Sequence, residues 1–132
     1  MAFMLDTSIA IHARDSNVAV LDRLNRYDGT ALISALSLAE LQRGLYKKSA
    51  DTAIRQSRLT LFLEQVSVLP FDTAAALAYG GIIAKLGWVR GRDFDRLIAA
   101  HAISAHSTLV TSNEADFRDI PGLLLENWLT AP

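Results

Sequence analysis

Short apolar runs alternate along this chain with longer stretches in which apolar residues recur every three or four positions. The first rhythm suits buried strands and the second suits helices packed by one face. Residues 2–6 read as a strand that buries Phe3 and Leu5 and stops abruptly at Asp6. Helical spacing follows over 9–13 and over 18–27, where Val20, Leu21, Leu24 and Tyr27 share a face. Asp28-Gly29 marks a turn, and 31–34 a short buried strand. Leu38, Leu41 and Leu45 predict a helix over 37–48, and Leu59, Phe62 and Leu63 one over 53–65. A third strand at 66–69 is stopped by Pro70. Asp72 is placed to cap a helix that Gly87 ends after Leu86. Residues 88–93 read as a loop, 94–106 as a helix, 108–111 as a fourth strand, 114–117 as a helical turn and 123–126 as a fifth, edge strand. This order predicts an α/β fold, a single parallel sheet with helices on both faces.

Composition narrows what such a domain does. With 132 residues, 51% of them hydrophobic, the chain suits one domain, 1–132, that buries roughly two thirds of its unfolded surface. Thirteen basic against fourteen acidic residues leave a net charge of −1. A bulk cationic surface is thereby excluded, and any nucleic-acid contact rests on a local basic patch. The absence of cysteine excludes disulfides, thiolate zinc sites and thiol nucleophiles. No signal peptide is evident and no apolar run approaches the ~20 residues of a membrane span. The expectation is a soluble, cytoplasmic protein with no membrane partner.

The candidate chemistry lies in acids at the ends of the predicted elements. Asp6 follows strand 1, Glu40 falls in the first turn of the helix after strand 2, Asp95 opens the helix before strand 4, and Asp116 follows strand 4. Parallel strands joined by right-handed crossovers bring their carboxyl ends to one edge, where open α/β sheets place ligands. Each acid also has a structural reading. Asp6 and Asp95 suit helix N-caps, Ser37 and Glu40 fit a capping box, and Asp116 suits a solvated turn. Brought together, four carboxylates repel one another unless a cation compensates. Oxygen donors without imidazole or thiolate favour Mg²⁺, with Mn²⁺ as an option.

Met4-Leu5-Asp6-Thr7-Ser8, Ser37-Leu38-Ala39-Glu40-Leu41, Asp95-Arg96-Leu97-Ile98-Ala99-Ala100-His101-Ala102, the run from Leu109 through Asn113 and Asp116 to Phe117, and Gly122 to Trp128 resemble the PIN-domain ribonucleases. The resemblance is strongest to the VapC-type toxins of bacterial toxin–antitoxin pairs and covers essentially the whole chain. It implies a three-layer α/β/α sandwich with a parallel central sheet, a homodimer, and a higher complex with a cognate VapB-type antitoxin. It also implies an RNA substrate, with initiator tRNA a specific possibility. Asp6, Glu40 and Asp95 fall on the family's metal-site acids and Asp116 on its more variable fourth acid. Two positions depart from the pattern. Ser8 stands where the family usually has Asn, and at Asn113 some members carry the fourth acid.

Cleaving a phosphodiester requires an activated water, neutralisation of the charge growing at phosphorus and help for the leaving oxygen, which carboxylate-held Mg²⁺ supplies. Asp6 and Asp95 are assigned as direct ligands, Glu40 as ligand or water-orienting base, and Thr111, with Ser8 and Asn113, as supporting polar groups. Arg90 and Arg92 form a cationic loop suited to RNA phosphates. Arg43, Lys47, Lys48, Arg55 and Arg58 read as a solvated helical face, His101 as a packed residue, and Trp88 and Trp128 as packing side chains. Two other classes compete: a haloacid-dehalogenase-like phosphatase, which lacks a second Asp at Ser8, and a catalytically silent RNA- or protein-binding module of the same fold.

Overall fold

The computed structural model describes residues 2–27, 29–47 and 51–130. The predicted turn at Asp28 and helix end at Lys48 involve positions outside these residues. In chain order the elements are β1 (Ala2–Leu5), α1 (Thr7–Arg14), α2 (Val18–Arg26), β2 (Ala31–Ser34), α3 (Ala35–Gly44), α4 (Thr52–Leu63), β3 (Ser67–Leu69), α5 (Thr73–Leu86), α6 (Asp93–Ser104), β4 (Ser107–Val110), a 3₁₀ turn (Glu114–Asp116) and β5 (Leu125–Glu126). All strand pairs are parallel, in the order β3-β2-β1-β4-β5. The expected three-layer α/β/α architecture is what the chain adopts.

Alternation along the central strands builds two cores. Phe3 and Leu5 of β1, Ile33 of β2 and Val110 of β4 pack with Ile9, Val20, Leu24, Leu41, Leu45, Leu59 and Phe62 from α1 to α4. Met4 and Leu109 face the other way, against Ile82 of α5, Ile98 and Ala99 of α6, and Phe117 and Ile120. Trp128 closes the first core against Phe3 and Tyr27, with ring centroids 5.6 and 5.9 Å away, and each such pair contributes about 1 kcal/mol beyond area burial. Trp88, by contrast, is 61% exposed. Gly87 at φ +75° turns the chain off the end of α5, leaving the 88–91 loop exposed.

The strand order sets the position of any site. From β1 the chain proceeds to β2 on one side, and β4 is added on the other. The crevice between the carboxyl ends of β1 and β4 is therefore a topological switch point, the place where open α/β sheets bind ligands. The edge is held together by polar contacts. The Asp6 amide donates to the Val110 carbonyl at 2.9 Å and the Thr111 amide to the Glu126 carbonyl at 3.0 Å. Buried His101 of α6 has its Nδ1 2.8 Å from Ser34 Oγ at the end of β2 and donates to the Pro70 carbonyl after β3. Burial holds its imidazole below the usual range, as befits the packing role expected for it.

Candidate active site

Asp6 ends β1 and begins α1 in one residue. Its extended backbone sets the start of the helix, and its Oδ1 accepts the Ile9 amide at 2.9 Å as the N-cap. The same oxygen accepts Ser8 Oγ at 2.7 Å, and Thr111 donates its hydroxyl to this carboxylate. Behind each hydroxyl stands another donor. Ser112 Oγ donates to Ser8 Oγ at 3.0 Å, and the Asn113 amide to Thr111 Oγ1 at 3.0 Å. Two relays from the loop after β4 thus converge on an acid that is only 7% exposed. Burial raises the Asp6 pKa above the usual carboxylate value, while Thr111, the Ile9 amide and Ser8 pull it back.

Asp95 lies in the first turn of α6, where a carboxylate is favoured by the helix dipole. It is not a cap: Arg92 occupies that position and makes no side-chain cap bond. The helix begins two residues before Asp95, at Asp93, whose carboxylate accepts the Tyr79 hydroxyl from α5. Burial raises the Asp95 pKa, and the charges of Asp116, Asp6 and Glu40 raise it further, with Arg92 opposing. All four predicted acids therefore share one field.

Glu40 reaches this field by a different local structure from the one its sequence predicts. Ser34, not Ser37, caps α3, accepting the Leu36 amide at 3.1 Å. Glu40 consequently sits in the second helical turn, and the capping box does not form. Ser37 is buried inside the helix, where its Oγ accepts Thr7 Oγ1 at 3.1 Å. Glu40 faces the cleft and contacts Arg43 at 3.5 Å. Ser34 wins because the hydroxyl at the strand end already has the extended backbone a cap needs.

Asp6, Thr7, Ser8, Glu40, Phe94, Asp95, Ile98 and Asn113 line a cleft of about 190 Å³. Asp116, at the end of the 3₁₀ turn, is half-buried, and Arg96 of α6 tethers the adjoining loop through Asp119 at 3.1 Å. Arg92 is felt by Asp95, whereas Arg90 is exposed and makes no ion pair with a described residue. Thr7, Ser112 and the apolar flank of Phe94 and Ile98 were not singled out by sequence. Thr7 and Ser112 adjoin Asp6 and Thr111, so their signal was adjacency alone.

The donor set is all oxygen and matches a hard divalent cation. Among the described residues no three acidic or imidazole side chains are drawn in tightly enough to enclose one ion.

The PIN domain family model matches residues 3–123. The chain belongs to the PIN domain family. It is 39% identical over 135 residues to Ribonuclease VapC2 of Rickettsia felis, covering 97% of this chain and 98% of that one. It is 36% identical over 132 residues to the tRNA(fMet)-specific endonuclease VapC of Shigella flexneri, with coverage of 97% and 98%. Among solved structures, VapBC2 from Rickettsia felis bound to a DNA fragment from its promoter superposes with a TM-score of 0.85 at 35% identity, covering 97% of this chain and 99% of the other. DNA-bound VapBC from Salmonella typhimurium gives 0.85 at 32%, covering 97% and 98%. The chain is a VapC-type PIN-domain nuclease, and the phosphatase alternative falls away. No described helix is long and apolar enough to cross a membrane.

Proposed function

We propose that this PIN domain, acting as one catalytic unit over residues 1–132, is a Mg²⁺- or Mn²⁺-dependent endoribonuclease toxin neutralised by a VapB-type antitoxin. The observation that carries the reading is the convergence on one oxygen-only cleft of Asp6, Glu40 and Asp95, with Asp116 felt electrostatically. Asp6 and Asp95 would hold the ion, Glu40 would join them or orient water, and Asp116 and Asn113 would add a weaker fourth contact. Bound there, the ion supplies activation of water and neutralisation of charge at phosphorus.

The chain's own residues do the rest. Ser8 and Thr111 keep the Asp6 carboxylate in one orientation, Phe94 and Ile98 give the cleft an apolar flank, and Arg92, whose charge acts on Asp95, and Arg90 of the same loop would contact phosphates. The Shigella flexneri relative is named for tRNA(fMet), which supports a structured RNA, and initiator tRNA in particular, as substrate. A nearly neutral protein selects such a target by shape and local charge. The VapBC complexes among the structural matches support an antitoxin partner, and a homodimer within the larger complex is part of the same reading.

Purified protein incubated with initiator and elongator tRNAs, with Mg²⁺ or with EDTA, tests this directly, with 5′ ends mapped by sequencing. One or few cuts in initiator tRNA, abolished by EDTA, are expected. Folded protein that binds RNA yet never cuts it under any divalent ion would instead identify a silent binding module.

A further inference from the structure

Arg96 follows Asp95 on α6, yet its side chain runs inward and the residue is only 3% exposed. Its Nη2 donates to Asp119 Oδ2 at 3.1 Å, while its Nε and Nη1 have no hydrogen-bond partner among the described residues. Asp93, three residues earlier on the same helix, accepts the Tyr79 hydroxyl instead. The Asp119 side chain is itself 46% exposed, so one half-solvated carboxylate is all that answers a buried charge. Apolar side chains of similar volume usually pack such a position at least as favourably. Stability alone therefore does not account for Arg96.

The contact joins α6 to the loop that carries Asp116. From Asn113 to Ile120 that loop is a run of tight turns: the Asp116 amide donates to the Asn113 carbonyl at 3.0 Å, and the Phe117 and Arg118 amides to the Glu114 carbonyl at 3.0 and 3.1 Å. The Ile120 amide then donates to the Phe117 carbonyl at 3.1 Å. A run bonded in this way moves as one piece, so a tether at Asp119 is felt at Asp116. Phe117 and Ile120 sink the piece into the second core, but apolar contact is non-directional. The hydrogen-bonded ion pair supplies the direction. Asp116 in turn is the foremost of the acidic charges acting on Asp95, the residue beside Arg96, and Asn113 at the head of the run lines the acid cleft.

We propose that Arg96 is a positioning residue of the nuclease: by holding Asp119 it fixes the 113–120 loop against α6 and so sets the separation of Asp116 from Asp95. This rests on the nuclease reading and gives Asp116 a defined share in it. Arg96 is buried away from substrate, and its effect passes through Asp116.

The test is a double-mutant cycle between Arg96→Met and Asp116→Asn, with initiator tRNA transcript and Mg²⁺ as probes. Arg96→Met alone should lower kcat and the calorimetric Mg²⁺ affinity by about tenfold, with KM little changed. In metal-free protein the Phe117 and Arg118 amides should lose protection from hydrogen exchange. In the Asp116→Asn background the same substitution should alter kcat and Mg²⁺ affinity by less than about twofold, the margin within which independent effects add. Asp119→Ala breaks the contact from its solvent side and serves if Arg96→Met does not fold, and Asp119→Glu, which keeps the carboxylate, should recover most of the loss. Equal losses in both backgrounds overturn the proposal, as does an Arg96→Met protein with full activity or with Phe117 and Arg118 still protected. A wild-type protein that neither cuts RNA nor binds Mg²⁺ would refute the nuclease reading and this role with it, while the exchange measurement, which needs neither probe, would still show whether Arg96 holds the loop.

Discussion

Asp6 and Asp95 face the same cleft, but the chain holds them by opposite means. Asp6 is fixed by hydrogen bonds: it caps α1, accepts two hydroxyls and is backed by relays through Ser112 and Asn113. Asp95 receives no such support from the described residues and is raised in pKa by burial and by three neighbouring acids. One side of the site is pre-organised by local structure, and the other is under charge stress that a bound cation would relieve. The difference separates what folding positions from what ligand binding completes.

The most severe way to test that contrast is to remove each charge while keeping its shape. Asp6→Asn and Asp95→Asn should each lower RNA cleavage by about 100-fold or more, the scale of losing a principal electrostatic group. Titration calorimetry should show weaker Mg²⁺ binding in both variants. Full cleavage by Asp95→Asn would mean that its stress serves no ligand.

A smaller effect is expected behind Asp6. Ser112→Ala breaks the relay at its far end and should cost roughly tenfold in metal affinity or activity, the lower range for groups that orient a ligand. Asn at position 8 has a donor of its own, so in a Ser8→Asn background Ser112→Ala should cost much less. Equal losses in both backgrounds would show that Ser112 acts elsewhere.

The structural half of the contrast appears in stability. Asp6→Ala removes an N-cap that Asp6→Asn retains, so the alanine variant should be less stable by about 1 kcal/mol. Asp95 caps nothing, and Asp95→Ala should be neutral or stabilising in metal-free protein. Urea unfolding in EDTA measures both.

How much of this was legible in the sequence follows the same division. The sheet, its helices and the carboxyl-edge position of Asp6 follow from apolar period and strand ends, which are local signals. Asp72 and Gly87 bound α5 as their residue types predict. Glu40 was misplaced within α3 because two serines compete for the cap and only the strand end at Ser34 decides between them. Trp88 was misread because its composition says packing, whereas only the path of the chain after Gly87 leaves it exposed. The relay through Ser112 joins residues 104 positions apart. It has no periodic or short-range signature.

The subtlest effect is pH dependence in the metal-free protein. Asp6 and Asp95 titrate near 3.8 when unfolded and higher when folded. Between those values the folded chain holds more protons, so their contribution to stability is complete below the unfolded value and is lost as pH rises through the folded one. His101 works the other way, since burial lowers its pKa and its contribution is lost as pH falls below about 6.5. Asp15, lowered chiefly by Arg14, also loses its contribution on acidification, but below the ordinary carboxylate value. The raw melting curve therefore mixes opposing terms, and the difference between wild type and Asp95→Asn isolates one. In EDTA, Asp95→Asn should melt higher than wild type at about pH 7, and the gap should narrow as pH falls and the wild-type acid takes up its proton. Saturating Mg²⁺ should reverse the order at neutral pH, because the ion stabilises only the chain that binds it well. A gap that stays constant with pH would show that the stability change comes from altered packing rather than charge, and the contrast between the two acids would then lose its electrostatic basis.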